Sequence, residues 1–321
     1  MMGFVSSCAQ DAYRSARALA PVPAKTLALM SDQGMEPGAP ILMRAFKKES
    51  EIEVWKQGRD GKYALLKTYP ICRWSGQLGP KIREGDRQAP EGFYEVSAAA
   101  MNPNSSLFLS FNIGFPNAFD RAHNRTGSHL MVHGACSSQG CFAMTDEAIS
   151  EVYAITREAF AGGQHSFQFQ SYPFRMTPEN LAKHRADPHI AFWKNLKEGS
   201  DVFEAGRQAP LWTVAKGRYA FESDPAIAAD VAAKRALDDR REAELVAKGT
   251  PAIRLVYQDG GGHPSLRKLA LAAANNPSSA EVDTRTRQSL GDISRPEALA
   301  EEPREIPAVI PSPAATGTVR R

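Results

Sequence analysis

The chain has 321 residues, enough for one good-sized domain with extensions or for two small domains. With 42% hydrophobic and 23% charged residues it has the make-up of a soluble protein, slightly lean in apolar side chains, so a core can form over part of the chain only. The net charge of +3 comes without a Lys/Arg block or an aromatic-interleaved basic stripe, which excludes nucleic acid as a partner, and there is no run of about 18 apolar residues to span a membrane.

Residues 1 to 38 read as a leader. A small basic, Ala-rich helix is expected from Ala9 to Ala20, and Pro21, Pro23, Gly34, Pro37 and Pro40 follow at a density that suits exposed chain. Val5-Ser6-Ser7-Cys8 has the form of a lipoprotein processing site, which would make Cys8 a lipidated membrane anchor. The apolar stretch before it is too short for an export signal, so either translation begins upstream or the match is chance.

A catalytic domain is expected from 39 to 221. Residues 51 to 56 alternate with period two, Gly58-Arg59-Asp60-Gly61 marks a turn, and 63 to 69 returns, which predicts a β-hairpin. The stretch from Trp74 to Pro90 is rich in Gly, Pro and charge, as a long functional loop would be. Strands are expected at 93 to 96, at 107 to 113 and at 129 to 132, the last delivering His133. Ile149, Val152, Tyr153, Thr156 and Phe160 share one helical face, and Gly162-Gly163 stops that helix. Residues 166 to 172 alternate as a last core strand, and Thr177-Pro178 and Asp187-Pro188 open two short helices, 178 to 186 and 188 to 198. Beyond the domain, 222 to 321 should hold a charged, solvated helix at 226 to 248 and, from about Gly260, a disordered tail. Deleting 260 to 321 should then leave melting temperature and activity nearly unchanged.

The chemistry concentrates in His133-Gly134-Ala135-Cys136-Ser137-Ser138-Gln139-Gly140-Cys141. A thiol here lies between a strand end and the start of a helix capped by Thr145-Asp146-Glu147, and a nearby imidazole and unpaired turn amides both favour thiolate. His133 supplies the imidazole, and Gly134 and Gly140 let the backbone bend so that amide N–H groups could meet an oxyanion. The pattern points to cysteine acyl transfer. Cys136 suits packing better than chemistry, although it could trap Cys141 as a disulfide, and Cys136→Ser should keep most turnover. Ser138 shapes the turn or donates to substrate. By the period of two, His129 would share a face with His133 and could orient it, and His123 is a candidate by proximity alone. Trp74, Phe93 and Tyr94 suit a core better than a substrate platform. Arg73, Lys81, Arg121, Arg125 and Arg175 read as solvated, with one or two of them available to clamp a carboxylate. Four cysteines, Cys8, Cys72, Cys136 and Cys141, are too few and scattered for a disulfide scaffold, and no set has zinc spacing.

His133-Gly134 followed by Ser138-x-Gly140-Cys141 resembles the signature of the L,D-transpeptidase catalytic (YkuD-type) family. The short His-to-Cys spacing and Cys141-Phe142-Ala143-Met144-Thr145-Asp146 resemble its YafK-like branch. The likeness runs from about Ile41 to about Thr177 and includes Trp74-Ser75-Gly76-x-Leu78-Gly79-Pro80-Lys81, Gly85-Asp86-x-Gln88-x-Pro90-Glu91-Gly92-Phe93-Tyr94 and Tyr172-Pro173-Phe174-Arg175-Met176-Thr177. It implies a mostly β, α+β domain with a mixed sheet and peripheral helices. It also implies an exported, periplasmic enzyme of cell-wall biogenesis and cell shape, acting on diaminopimelate-containing peptidoglycan stem peptides. In the implied reaction the Cys141 thiolate forms a thioester with His133 as base, Gly140 and Cys141 amides hold the oxyanion, and no metal or organic cofactor takes part. An amine resolves the thioester in transpeptidation and water in hydrolysis. An amidase releasing a peptidoglycan-linked lipoprotein is thus the alternative within this chemistry, and a non-catalytic cell-wall-binding module the alternative outside it. Where the wider family often carries Arg or Asn two residues past the Cys, this chain has Ala143.

Overall fold

The computed structural model describes residues 16–275, 282–291 and 293–309. Cys8 and most of the helix expected at 9 to 20 lie outside them. In chain order the strands are β1 (Ile41–Phe46), β2 (Glu51–Gln57), β3 (Tyr63–Pro70), β4 (Arg73–Trp74), β5 (Gly92–Ser97), β6 (Met101–Asn102), β7 (Ser110–Asn112), β8 (Met131–His133), β9 (Phe142–Ala143), β10 (Ser166–Tyr172), β11 (Leu211–Ala215), β12 (Arg218–Glu222), β13 (Ile253–Val256) and β14 (Arg304–Pro307). The helices are α1 (Ala24–Asp32), α2 (Ala118–Ala122), α3 (Asp146–Ala161), α4 (Pro178–His184), α5 (Ile190–Gly206), α6 (Ala228–Ala247), α7 (Pro264–Asn275), α8 (Thr284–Leu290) and α9 (Glu297–Ala300).

Alternation of apolar residues builds the first sheet, ordered β3-β2-β1-β10-β5, in which only β1 and β10 run parallel. Ile41, Met43 and Ala45 face the main core, while Leu42 on the other face packs with Trp55 and Phe203 beneath α5. The second sheet is ordered β4-β9-β8-β7-β6, and its parallel pair is β8 and β9. Ring contacts Phe142–Phe169 at 5.7 Å and Phe111–Phe167 at 5.8 Å join the two sheets in one core. The architecture is α+β, with mixed sheets and peripheral helices, as the family resemblance implied.

Helix α3 backs the second sheet because Ile149, Val152, Tyr153, Thr156 and Ala159 form one buried stripe. The Thr145 side chain accepts from the Ala148 amide at 3.2 Å, and Asp146 and Glu147 complement the positive end of the helix. This start fixes the end of the segment that carries Cys141. Parallel neighbours usually need a crossover of about a dozen residues or more, yet only residues 134 to 141 connect β8 to β9. So tight a crossover needs anchors from outside itself.

Two expectations are corrected. The leader is not simply exposed, since Ala18, Val22, Met30 and Met35 are buried in the main core. The chain after Gly260 is not structureless across the described residues. β14 pairs with β13, Gly261 extends the edge of β4 opposite Trp74, and Val282 and Leu290 are buried against Cys72 and Cys136. Composition underestimates this segment because several of its few apolar side chains, Leu266, Leu269, Val282, Leu290 and Ile293 among them, meet one patch around Cys72 and Cys136. Residues 310 to 321 lie outside the described part. Helix α6 is mostly exposed, as its charge pattern indicates, with Val231 buried. Among the described residues no helix is long and apolar enough to cross a membrane.

Candidate active site

β8 ends at His133 and β9 starts just after Cys141, and their register pairs Val132 with Phe142 and His133 with Ala143. One step back along that ladder, the Met131 amide donates to Cys141 Sγ at 3.4 Å. Cys141 itself lies in the bend just before β9, and its thiol meets the β8 segment at the Met131 amide, two residues from His133. Cys141 is half-buried and is the one free cysteine among the described residues, whereas His133 is buried.

The imidazole is held in one orientation. His133 Nδ1 lies 2.5 Å from the Gly134 carbonyl. A carbonyl can only accept, so Nδ1 carries the hydrogen and Nε2 keeps its lone pair for a proton. Burial pulls the imidazole below its ordinary pKa, against the hydrogen bond to Gly134. Burial likewise pushes the Cys141 thiol up, against the Met131 amide and the positive charge of Lys81. Both shifts favour a resting pair of neutral thiol and neutral imidazole, with proton transfer deferred to the moment of attack.

The glycines do not serve as the sequence suggested. The Gly134 amide donates to Leu109 O at 3.1 Å and the Gly140 amide to Ser75 Oγ at 2.7 Å, so neither points at an incoming oxyanion. Gly134 is instead required by close approach, because a Cβ there would come within 2.6 Å of the Asp146 carboxylate. Gly140 is required by its φ of +116°. Among the described residues the Cys141 amide is paired with no protein acceptor. Ser138 is buried within the turn, where its hydroxyl donates to Cys141 O at 2.8 Å and lies 3.0 Å from Ser75 Oγ. Asp146 accepts from the Ala135 amide at 2.8 Å, and burial pushes its carboxyl up to about 6.

Several other expectations change. His129 has a φ of +53° and is exposed, so it is not in the strand and the shared-face argument does not hold; its carbonyl, 3.6 Å from Cys141 Sγ, faces the thiol instead. His123 is exposed, with Nε2 2.8 Å from Gly217 O. Trp74, Phe93 and Tyr94 are all in the core. Of the five cations read as solvated, only Arg121 is exposed. Arg73 is buried on Asp259, Lys81 is bound to Asp86, Arg125 to Asp120, and Arg175 to Glu51 and Glu53. Ala143 is buried opposite His133 and offers no polar group. Among the described residues no His, Cys, Asp and Glu group could hold a metal ion.

Cys136 is neither free nor paired with Cys141. It forms a disulfide with Cys72, with Cα atoms 5.4 Å apart and a sequence separation of 64. β4 brings Cys72 there, since the Cys72 amide donates to Ala143 O at 2.8 Å beside the crossover. Closing a loop of that length is worth about 4 kcal/mol in a chain-entropy account. Cys136→Ser is therefore expected to lower Tm markedly while the folded protein keeps most of any turnover, measured by calorimetry beside an activity assay at low temperature. An unchanged Tm would contradict the stabilising role of the bridge.

No family model matches the chain. The proteins named "Putative L,D-transpeptidase YafK" from Escherichia coli strain K12 and from Escherichia coli O157:H7 are each 45% identical to it over 183 residues, 57% of this chain and 74% of theirs. Among solved structures, the helical cell shape determining protein Pgp2 of Campylobacter jejuni matches 72% of this chain and 80% of its own, with 16% identity and a TM-score of 0.34. Bd1075 of Bdellovibrio bacteriovorus matches 57% and 81%, with 13% identity and a TM-score of 0.30. Both are too distant to bear on the site. With that identity over 74% of the length of the YafK proteins, the chain belongs to the YafK-like branch of the L,D-transpeptidase family.

Proposed function

We propose that this protein is a cysteine acyltransferase of peptidoglycan, with Cys141 as nucleophile and His133 as general base and acid. The observation that carries this reading is the β8–β9 ladder, which brings Cys141 beside the strand that ends in His133, with the thiol at the Met131 amide and the imidazole held at the Gly134 carbonyl. Sγ attacks the carbonyl carbon at the L-centre of diaminopimelate in a stem peptide as the thiol proton passes to His133 Nε2. The Cys141 amide stabilises the oxyanion. When the intermediate collapses, the C–N bond breaks and the leaving amine takes the proton from His133, giving a Cys141 thioester. An amine resolves it in transpeptidation; water resolves it in hydrolysis, the route by which a linked lipoprotein would be released. Incubation with purified muropeptides and mass spectrometry tests the reading. Exchanged, cross-linked or hydrolysed stem peptides support it and name the acceptor. Binding without any covalent product would support a cell-wall-binding module instead.

The substrate places the enzyme outside the inner membrane, in the periplasm, and the Cys72–Cys136 bridge supports an oxidising compartment. A lipidated Cys8 would tether the domain to the membrane. N-terminal mass spectrometry of the native protein checks both: a cytoplasmic chain beginning at Met1 would refute export.

The pH dependence follows from burial of the pair. An imidazole with a lowered pKa stays unprotonated to lower pH, so the acid limb of kcat/KM should fall below the ordinary imidazole value of 6.5. Alkylation of free Cys141 by iodoacetamide should have its midpoint above the ordinary thiol value of 9.0. A midpoint well below that value would mean a resting ion pair.

A further inference from the structure

The crossover that carries Cys141 is gripped from outside by chain lying more than a hundred residues downstream. The Ser138 amide donates to Ser294 Oγ at 2.9 Å, and that hydroxyl lies 3.4 Å from Ser138 O, so a single side chain holds both sides of one residue of the turn. Ser138 O also accepts from Arg87 Nη2 at 3.1 Å, and the same nitrogen reaches Asp259 Oδ2 at 2.8 Å. Asp259 is buried and further accepts from Arg73 at 3.3 Å, Arg295 at 3.1 Å and the Gly76 amide at 3.1 Å. The Ser294 carbonyl takes Arg73 Nε at 3.3 Å, and the Cys136 amide donates to Leu290 O at 2.6 Å.

The bonds from Ser294 and Arg87 converge on the residue whose own hydroxyl holds the Cys141 carbonyl. Turning the Ser138 backbone would turn that hydroxyl, and with it the peptide on which Sγ and the Cys141 amide are mounted. We propose that Ser294 is a positioning residue for Cys141, acting through Ser138, with Asp259 and its arginines fixing the segment from which Ser294 reaches the turn. The inference rests on Cys141 being the nucleophile. Ser294 acts through its two contacts to the Ser138 backbone. Its hydroxyl sets the aim of the thiol and of the oxyanion donor, where small displacements cost rate more than binding.

The test compares full-length Ser294→Ala and Ser294→Thr with the unaltered protein and with Cys141→Ala, on one muropeptide, with iodoacetamide labelling of Cys141 alongside. Because Ser294 is only half-buried, both variants should fold with nearly unchanged Tm. Ser294→Ala is expected to lower kcat about tenfold with KM within about twofold, and Ser294→Thr, which keeps a hydroxyl, to recover most of it. The labelling rate at neutral pH should fall and recover in parallel. If Ser294→Ala keeps full kcat while Cys141→Ala is inactive, the positioning role is overturned and the nucleophile stands. Equal losses in the Ala and Thr variants, or a loss confined to KM, overturn it as well. A fully active Cys141→Ala would overturn both this proposal and the catalytic reading beneath it.

Discussion

Cys141→Ser is expected to lower turnover by on the order of a thousandfold or more, because a serine hydroxyl is far harder to ionise than a thiol and the site offers little else to activate it. Lys81, whose positive charge acts on the thiol, is bound to Asp86, and the Met131 amide is a weak substitute for a cation. His133→Asn should be nearly as damaging, by about 10²- to 10⁴-fold, since an amide could still donate to Gly134 O but has no lone pair basic enough to take the proton. Melting temperatures of both variants should stay near that of the unaltered protein, which separates lost chemistry from lost fold. Cys141→Ser with normal turnover would remove the proposed nucleophile.

Deletion of residues 260 to 321 is expected to damage both stability and activity, the reverse of what composition suggests. Val282, Leu290 and Leu299 are buried by the deleted part, and each buried aliphatic side chain is worth up to about 1.5–3 kcal/mol. The cut also strips the cover from the Cys72–Cys136 bridge, removes the Gly261 pairing at the β4 edge and takes Arg295 from Asp259. A loss of this size approaches the whole stability of a typical domain, so Tm should fall by about 10 °C or more. Turnover should fall further than Tm explains, because Ser138 loses Ser294. Scanning calorimetry and an assay well below the new Tm check the two parts separately. A truncated protein with unaltered Tm would mean that the segment does not dock in solution.

Local signals were legible and long-range ones were not. Residues 51 to 69 read as a hairpin because their alternation and turn lie within one short window, and β2 and β3 pair there. α3 could be read from one stripe between a capping Thr and a Gly pair. The helix expected to end at 198 runs to Gly206, passing through Gly199. A Cβ at Gly199 would come within 2.4 Å of Phe221 and 2.6 Å of Phe93, so the residue that weakens a helix locally is the one that lets aromatic rings pack on it.

In the candidate site, His133 and Cys141 could be singled out because strand, turn and helix start lie in one continuous segment. The supports of that segment were not. Ser75 lay within a motif block without a role of its own, and it takes the Gly140 amide. Cys72 is far from Cys136 in sequence and meets it only through β4. Nothing near Asp259 or Ser294 marks them, since a lone Asp and a lone Ser in a polar stretch look like solvated chain until the arginines and the turn they bind are placed in space.

The central claim is tested most directly by trapping the acyl-enzyme. Full-length protein is mixed with a purified diaminopimelate-containing muropeptide, quenched in acid within the first turnovers, digested and sequenced by mass spectrometry. The account predicts that the stem peptide's acyl mass sits on Cys141, that the adduct disappears from the neutral-pH chase as product forms, and that it is missing in Cys141→Ser. Turnover with the adduct on another residue, or turnover with no covalent intermediate at any quench time, would contradict it.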